Sequence, residues 1–262
     1  MEEDARWLLP ENLKAAEEKA RRQARLGILD PRDDFSSYYA YRTGANRDWI
    51  RAHAIADDAE ALAYARTLRG CLKRRGCRLE GQMLDVGCAT GAITEALRRL
   101  NPSGRSIGLD LSQDGIELAR ERYPGCVFHR SSAEDLEVVS EGSCDLIHAR
   151  EFYPFTRTND SDYQAGYLRL FAGKLKARGL LVFQTPSSGR GLSATFPRLR
   201  EIREELGYSR ALREPAVPLR ISLKLGGLIE LGSAYAVLAL LGSALGKALG
   251  AGRDFYLFQR AG

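Results

Sequence analysis

Short apolar runs alternate with longer amphipathic segments from residue 82 onward. The runs cover residues 83–86, 106–109, 126–128, 145–149 and 180–184, and each has the length of one buried strand. The segment 162–179 between the last two runs has apolar residues at helical spacing, and Gly179 is predicted to cap that helix. Such alternation predicts βαβ units, a parallel sheet and right-handed crossovers.

Before residue 82 the pattern is helical. Residues 11–25 and 50–69 carry apolar positions at helical spacing, with a turn-rich aromatic stretch at 30–49 between them. We therefore expect residues 1–70 to form a helical N-terminal cap or lid, and residues 71–262 to form one α/β domain.

The C-terminal third predicts four elements in a less regular order. Residues 196–207 predict a helix that ends at Gly207, and residues 214–225 predict a strand whose two prolines favour a sheet edge. An apolar helical insertion is expected at about 225–250, before a last strand at 254–260.

Composition narrows the classes of function. The chain has 262 residues, of which 44% are hydrophobic and 28% charged, enough for a globular core. Its net charge of +5 is a weak signal for nucleic acid. The five cysteines lack close CxxC spacing, so no metal site is predicted, and the charged N-terminus has no apolar signal region. These features favour a reducing, cytoplasmic setting.

The stretch MLDVGCATGAITEALRRL, residues 83–100, predicts a strand, a glycine-rich turn and a helix. Gly87 and Gly91 suit a turn that presents bare backbone to a ligand at a helix N-terminus. A Walker A loop needs Lys-Ser/Thr where Ala92 and Ile93 stand, so that interpretation fails. A dinucleotide-binding turn needs a glycine at position 89, where this chain has alanine, so that interpretation is only weakly supported. A turn that binds no ligand remains an open alternative.

Two acidic sites further along favour a nucleoside ligand. Asp110 ends the second run, 23 residues after Gly87, where an acid accepts hydrogen bonds from ribose hydroxyls. Ser112 is the better N-cap of the following helix. Glu134 and Asp135 follow the third run, where an adenine amino group could be read.

At this point the chain resembles the class I S-adenosylmethionine-dependent methyltransferases. LDVGCATG, GLDLS, SSAEDL, CDLIHAREFYPF and LKARGLLVFQTP occur in that family's order and spacing over about residues 80–190, and DFYLFQR matches its final strand. The resemblance implies a Rossmann-like, mostly parallel seven-stranded sheet with helices on both faces and an antiparallel last strand. The chain departs from the family at Ala89, where glycine is commoner.

The resemblance also implies a cofactor site. Asp85 would face the methionine amino group, and the turn would pack along the methionyl and ribose part. Asp110 would bind the ribose and Leu111 would pack on the adenine. The full set of expected cofactor residues is Asp85, Gly87, Cys88, Ala89, Gly91, Asp110, Leu111, Ala133, Glu134, Ala149 and Arg150.

Acceptor contacts are expected in residues 148–160, after the fourth strand, because open α/β sheets bind ligands at the carboxyl ends of their strands. The expected catalytic residues are His148, Glu151 and Tyr153, although a buried, hydrogen-bonded histidine is the favoured alternative for His148. Expected substrate contacts are Tyr153, Arg157 and, from the N-terminal cap, Tyr39.

We expect methyl transfer to a small molecule or saccharide, with oxygen as the acceptor atom. No Asn/Asp-Pro-Pro-Tyr run and no cysteine follows the fourth strand, so nucleic acid is disfavoured as acceptor. The alternatives are an NAD(P)-dependent oxidoreductase and a non-catalytic S-adenosylmethionine-binding scaffold.

The uncharged segment 231–246 is too short to span a membrane. A helix buried against the sheet or a partner, such as a homodimer partner, is the favoured interpretation. A peripheral membrane contact is the alternative.

Overall fold

The computed structural model describes residues 58–187, 191–248 and 252–262. In this part of the chain seven strands form one sheet in the order β3-β2-β1-β4-β5-β7-β6. The strands are β1 Met83–Val86, β2 Ser106–Asp110, β3 Val127–Arg130, β4 Cys144–Arg150, β5 Leu175–Pro186, β6 Tyr208–Pro215 and β7 Arg253–Arg260. Strands β1 to β5 pair in parallel, and β7 is antiparallel to both β5 and β6. The predicted fold class is confirmed.

Helices cover both faces of this sheet. They are α1 Asp58–Arg74, α2 Ala92–Leu100, α3 Gln113–Arg122, α4 Tyr153–Arg157, α5 Ser161–Lys174, α6 Leu192–Glu201, α7 Leu219–Leu225 and α8 Gly232–Ala248, with a 3₁₀ segment at Gly226–Glu230. Alternate strand residues such as Leu146 and Ile147 belong to two separate apolar clusters. Since successive strand side chains point to opposite faces, the clusters lie on opposite sides of the sheet. Helices α4, α5 and α6 pack in one cluster, whereas α1, α2, α3 and α8 pack in the other.

Two predicted helix ends were wrong. Helix α5 ends at Lys174 rather than at Gly179, because the buried Leu175 already pairs with Cys144 of β4. Gly179 therefore lies inside β5, after a register shift in the β4–β5 pairing. Helix α6 ends at Glu201 and is followed by turns, so Gly207, with φ of 86°, lies beyond the helix.

The strand predicted at 214–225 was also placed wrongly. Strand β6 ends at Pro215 and does lie at the sheet edge, but its first residue is Tyr208. The residues after Pro218 form helix α7 instead. Proline suits the start of a helix because the first-turn N–H groups have no helical partner, so the loss of one N–H costs little there.

The cap predicted at residues 1–70 lies mostly outside the described residues. Helix α1 is its described end, and this helix continues without a break across residue 70. Its buried side chains include Tyr64, Leu68 and Leu72, and they belong to the same apolar cluster as α2 and the sheet. The division of the chain at residue 70 stays a prediction.

Candidate functional site

The glycine turn connects β1 to α2 in the predicted place. Gly87, Ala89 and Gly91 all have positive φ, of 73°, 49° and 79°. The backbone N–H groups of Gly87 and Cys88 donate to the Leu109 carbonyl at 2.8 and 3.0 Å, which fixes the turn against β2. Left-handed backbone is unfavourable for an alanine, so neighbouring contacts must hold Ala89 in this conformation.

Asp110 provides one such contact. Its Oδ2 accepts the Ala89 N–H at 2.9 Å, and its Oδ1 accepts the Ser112 N–H at 2.9 Å. The side chain is 3% exposed, and burial raises the pKa of Asp110 above its usual range, although these two hydrogen bonds act in the opposite direction. Ser112 caps α3 as expected, since its hydroxyl accepts the Gly115 N–H at 3.1 Å.

One open pocket lies where these elements meet the end of β4. It encloses about 590 Å³, including the part that opens to solvent. Seven of the expected site residues line it: Gly87, Asp110, Leu111, Ala133, Arg150, Glu151 and Tyr153. The other lining residues are Val86, Leu109, Ser131, Ser132, Phe152, Pro154 and Tyr167. The pocket therefore joins five of the eleven expected cofactor contacts to two of the expected acceptor contacts, Glu151 and Tyr153.

Asp85 and His148 lie behind this pocket rather than in its lining. Asp85 Oδ2 accepts the Thr94 hydroxyl at 2.6 Å, and its Oδ1 lies 2.8 Å from His148 Nδ1. His148 Nε2 lies 2.7 Å from the Tyr64 hydroxyl, and the histidine is fully buried. Both ring nitrogens of His148 and both carboxylate oxygens of Asp85 thus have protein partners. The arrangement matches the buried, hydrogen-bonded histidine of the sequence-based alternative.

The remaining expected residues have other surroundings. Cys88 and Ala149 are buried, and burial raises the pKa of the Cys88 thiol well above its usual value. Gly91 packs against Phe128 of β3. Glu134 is exposed and accepts a 2.9 Å hydrogen bond from Tyr167, whose ring lines the pocket. Tyr39 and the side chain of Arg157 lie outside the described part of the structure.

Charged side chains gather at the end of the pocket that Glu151 lines, where acceptor contacts were expected. Arg150 donates to Gln184 at 3.1 Å, and its guanidinium carbon lies 5.5 Å from the Tyr64 ring centroid. Glu151 forms an ion pair with Arg253, and the Arg150 Nη2 is 3.8 Å from the same carboxylate. Burial and the nearby Arg150 charge lower the pKa of Arg253 to about 10. The two guanidiniums hold the Glu151 carboxylate at the pocket wall.

Sequence reasoning missed three residues of this region: Arg253, Tyr64 and Tyr167. Arg253 reaches Glu151 because β7 returns antiparallel beside β5, with Arg253 opposite Pro186. Tyr64 arrives on α1 and Tyr167 on α5. No local pattern marks these positions, since each contact depends on how distant elements pack.

Helix α2, which follows the turn, is held by a carboxylate whose effect on stability depends on pH. Glu95 accepts hydrogen bonds from Arg98 at 2.7 and 2.9 Å and from Arg99 at 2.9 Å. The bonds to Arg98, more than any other contact, lower the pKa of Glu95 to about 2. A lowered folded-state pKa adds stability above the ordinary pKa of 4.5, and that contribution is lost as pH falls towards 2.

We expect Glu95→Gln to lower the free energy of unfolding by about 1 kcal/mol at pH 7, because both arginines are partly exposed and solvent screens the pairs. The difference from wild type should shrink at pH 3, as measured by urea denaturation at both pH values. The control is Glu201→Gln, whose ion pair with Arg198 is exposed, so little change is expected at either pH. If Glu95→Gln lowered the free energy of unfolding equally at pH 3 and pH 7, the lowered pKa of Glu95 would be contradicted.

The sheet is doubly wound, and the glycine turn, the acid at the end of β2 and apolar walls meet in one pocket. This combination defines a nucleoside-cofactor-binding α/β domain. A family profile described as Methyltransferase domain matches residues 79–226. The chain therefore belongs to this methyltransferase family, within the class I S-adenosylmethionine-dependent methyltransferases. The resemblance stated from the sequence is confirmed.

Curated relatives share part of the chain. Trans-aconitate 2-methyltransferase of Afipia carboxidovorans is 27% identical over 170 residues, which cover 63% of this chain and 62% of the relative. Indolepyruvate C-methyltransferase of Streptomyces griseus is 30% identical over 120 residues, covering 42% of this chain and 35% of the relative. The chain thus spans less than two thirds of the length of these relatives.

Among solved structures, the N-methyltransferase NodS of Bradyrhizobium japonicum, in complex with S-adenosyl-L-homocysteine, matches with a TM-score of 0.56. The match covers 87% of this chain and 99% of NodS at 17% sequence identity, so it shows the shared fold. Among the described residues, no helix has the length and apolar character needed to cross a membrane.

Proposed function

We propose that the chain transfers a methyl group from S-adenosylmethionine to a small-molecule or saccharide acceptor, with oxygen as the acceptor atom. The observation that carries the proposal is the lining of one pocket. Gly87, Asp110 and Leu111 lie there together with Glu151 and Tyr153, so a cofactor and an acceptor could meet in one enclosure.

The pocket fits a nucleoside cofactor without phosphate. At Gly87, a Cβ would meet nothing closer than Phe152 at 3.8 Å, so bare backbone faces open space. No lysine or arginine stands between Gly87 and Thr94 to bind a phosphate. When bound, S-adenosylmethionine supplies an electrophilic methyl group on its sulfonium sulfur.

Asp110 would bind the ribose hydroxyls. An ionised carboxylate has about four lone-pair sites, and the two backbone N–H groups occupy one on each oxygen of Asp110. Acceptor capacity therefore remains on the carboxylate for the ribose. Leu111 and Ala133 would pack on the adenine, while the backbone at Gly87 would lie along the methionyl part.

The chain's own contribution to the transfer would be orientation and exclusion of water. Methyl transfer needs the acceptor atom in line with the breaking bond, and positioning alone supplies much of the rate. Phe152 and Pro154 restrict the acceptor end of the pocket, and Glu151 and Tyr153 offer polar atoms there. One of these two side chains would accept a hydrogen bond or a proton from an acceptor hydroxyl.

Calorimetric titration with S-adenosylhomocysteine tests the cofactor site. Leu111→Ala should weaken binding by about tenfold, because a partly exposed leucine on the adenine contributes about 1.4 kcal/mol. Asp110→Asn should weaken binding by about tenfold or more, because hydrogen bonds to a charged group contribute about 1.5–3 kcal/mol.

The matched control is Leu170→Ala on α5, where a similarly half-buried leucine lies outside the pocket lining. Its affinity should equal that of wild type. If folded wild-type protein does not bind S-adenosylhomocysteine, or if Leu111→Ala and Leu170→Ala behave alike, the proposed cofactor site is wrong. Titration with NAD(P) in the same instrument tests the oxidoreductase alternative.

The acceptor atom needs a separate experiment. The relatives named above include a C-methyltransferase and an N-methyltransferase, so family membership leaves the atom open. The protein can be incubated with methyl-labelled S-adenosylmethionine and a panel of hydroxylated, amino and carbon acceptors. Mass spectrometry of the products then tests whether oxygen is the atom that receives the methyl group.

A further inference from the structure

Exposed large apolar side chains occur in one region of the described chain. All six lie between residues 223 and 241, on α7, the 3₁₀ segment and α8, and their exposure ranges from 41% to 64%. We call these residues the apolar face: Leu223, Leu228, Leu231, Val237, Leu240 and Leu241. Monomeric soluble proteins rarely leave such a concentration of apolar surface in water without an interaction site.

Helix α8 is apolar on both of its sides. Its inner side packs on α1 and β6 through Tyr235 and Ala239, and the Tyr235 hydroxyl donates to the Pro215 carbonyl at 2.7 Å. Gly242 packs so tightly that a Cβ there would lie 2.4 Å from Pro218 Cδ. The opposite side carries Val237, Leu240 and Leu241, at i, i+3 and i+4. A helix with apolar residues on both sides is normally buried on both sides, so a binding partner is expected on the outer side of α8.

Among the described side chains between positions 214 and 254, the charged groups without an ion-pair partner are both positive. The acidic residues between positions 214 and 254 are Glu214, Glu230 and Asp254, and each is ion-paired with arginine. Arg220 and Lys224 on α7 are exposed, and within the described residues neither has an ion-pair partner. The face therefore combines exposed apolar side chains with two cations that have no ion-pair partner in the described part of the chain.

We propose that the apolar face docks on an anionic lipid bilayer, with α8 lying in the plane of the interface. Apolar side chains would enter the headgroup boundary, while Arg220 and Lys224 would meet anionic headgroups. Helix α8 has 17 residues, about 25 Å of helix, which is less than a bilayer core of about 30 Å. A helix of this length is too short to cross the bilayer core but can lie along the membrane surface.

A second copy of the chain fits this face less well. A two-fold interface places the same patch on both partners, and the acidic residues of this segment already have arginine partners, so the patch would bring no free anion to Arg220 or Lys224. The insertion leaves the sheet after Pro215 and returns at Arg253, at the carboxyl ends of the parallel strands, where Glu151 also lies.

Co-sedimentation of the full chain with vesicles tests the proposal. Wild type should bind vesicles of phosphatidylglycerol and phosphatidylcholine, bind pure phosphatidylcholine weakly, and lose anionic binding as salt rises. Arg220→Ala with Lys224→Ala should bind the anionic vesicles about 25-fold more weakly, about fivefold for each cation. Leu240→Glu with Leu241→Glu should remove binding to both vesicle types.

The matched control removes two cations elsewhere. Arg198→Ala with Arg200→Ala changes exposed residues of α6, on the opposite face of the sheet, and should bind like wild type. Thermal melting would verify that each variant is folded. Failure of wild type to sediment with anionic vesicles would overturn the proposal, as would equal binding to both vesicle types. A wild-type dimer that Leu240→Glu with Leu241→Glu dissociates would instead identify a second copy as the occupant.

Discussion

Gly91→Ala is expected to lower the free energy of unfolding by about 3 kcal/mol and to abolish binding of S-adenosylhomocysteine. The residue has φ of 79°, where an alanine costs about 1–2 kcal/mol. A Cβ there would also lie 2.7 Å from Phe128 Cζ and 2.9 Å from Ala119 Cβ. Overpacking of this kind adds about 1–3 kcal/mol, and relief of the clash would displace the turn that lines the pocket.

Gly87→Ala separates backbone strain from crowding. Its φ of 73° is similar, but the nearest atom to an added Cβ is Phe152 Cδ2 at 3.8 Å. We expect a loss of about 1–2 kcal/mol from the left-handed backbone alone. Urea denaturation gives both values. Equal losses for the two variants would show that the contact with Phe128 does not determine the position of α2.

This turn also shows which features can be predicted from sequence. The strand, the two glycines and the helix start lie within 18 residues, and local patterns predicted their order. The partners of the turn could not be predicted in that way. Phe128 reaches Gly91 from β3, and Asp110 reaches the Ala89 N–H from β2. The sequence predicted an acid at Asp110 for ribose, but not that the same carboxylate holds the turn.

The C-terminal third was the hardest to predict because its elements are defined by packing. The prolines of 214–225 predicted an edge strand, yet Pro215 ends β6 and Pro218 precedes α7. Segment 231–246 was predicted as a helix buried against the sheet or a partner. Only one side of α8 is buried in the described chain, because apolar residues surround the helix and α1 can cover only one side.

His148 illustrates the same limit within the candidate site. Its position near the end of β4 allowed either a catalytic base or a buried histidine, and sequence could not decide between them. In the structure, the ring's Nε2 contacts the hydroxyl of Tyr64, which lies 84 positions earlier in the chain. The Asp85 contact on Nδ1 was equally non-local, since β1 and β4 are adjacent only in the folded sheet.

His148→Ala should therefore act mainly on stability. The substitution leaves the buried Asp85 carboxylate with Thr94 as its remaining side-chain partner and removes the partner of the Tyr64 hydroxyl. Leaving buried polar groups without their hydrogen-bond partners in this way costs about 1–3 kcal/mol for each group. Tyr64→Phe, which removes one hydroxyl from the same chain of hydrogen bonds, should cost about 0.5–1.5 kcal/mol.

Turnover separates this structural role from a catalytic one. If His148 only positions Asp85 and Tyr64, the folded fraction of His148→Ala should keep kcat within about tenfold of wild type, because loss of a general base costs about 10²–10⁴-fold. The measurement combines urea denaturation with methyl transfer at a temperature where the variant remains folded. A hundredfold fall in kcat with little loss of stability would make His148 the base, and its ring would then have to exchange the Tyr64 hydroxyl for the acceptor during the reaction.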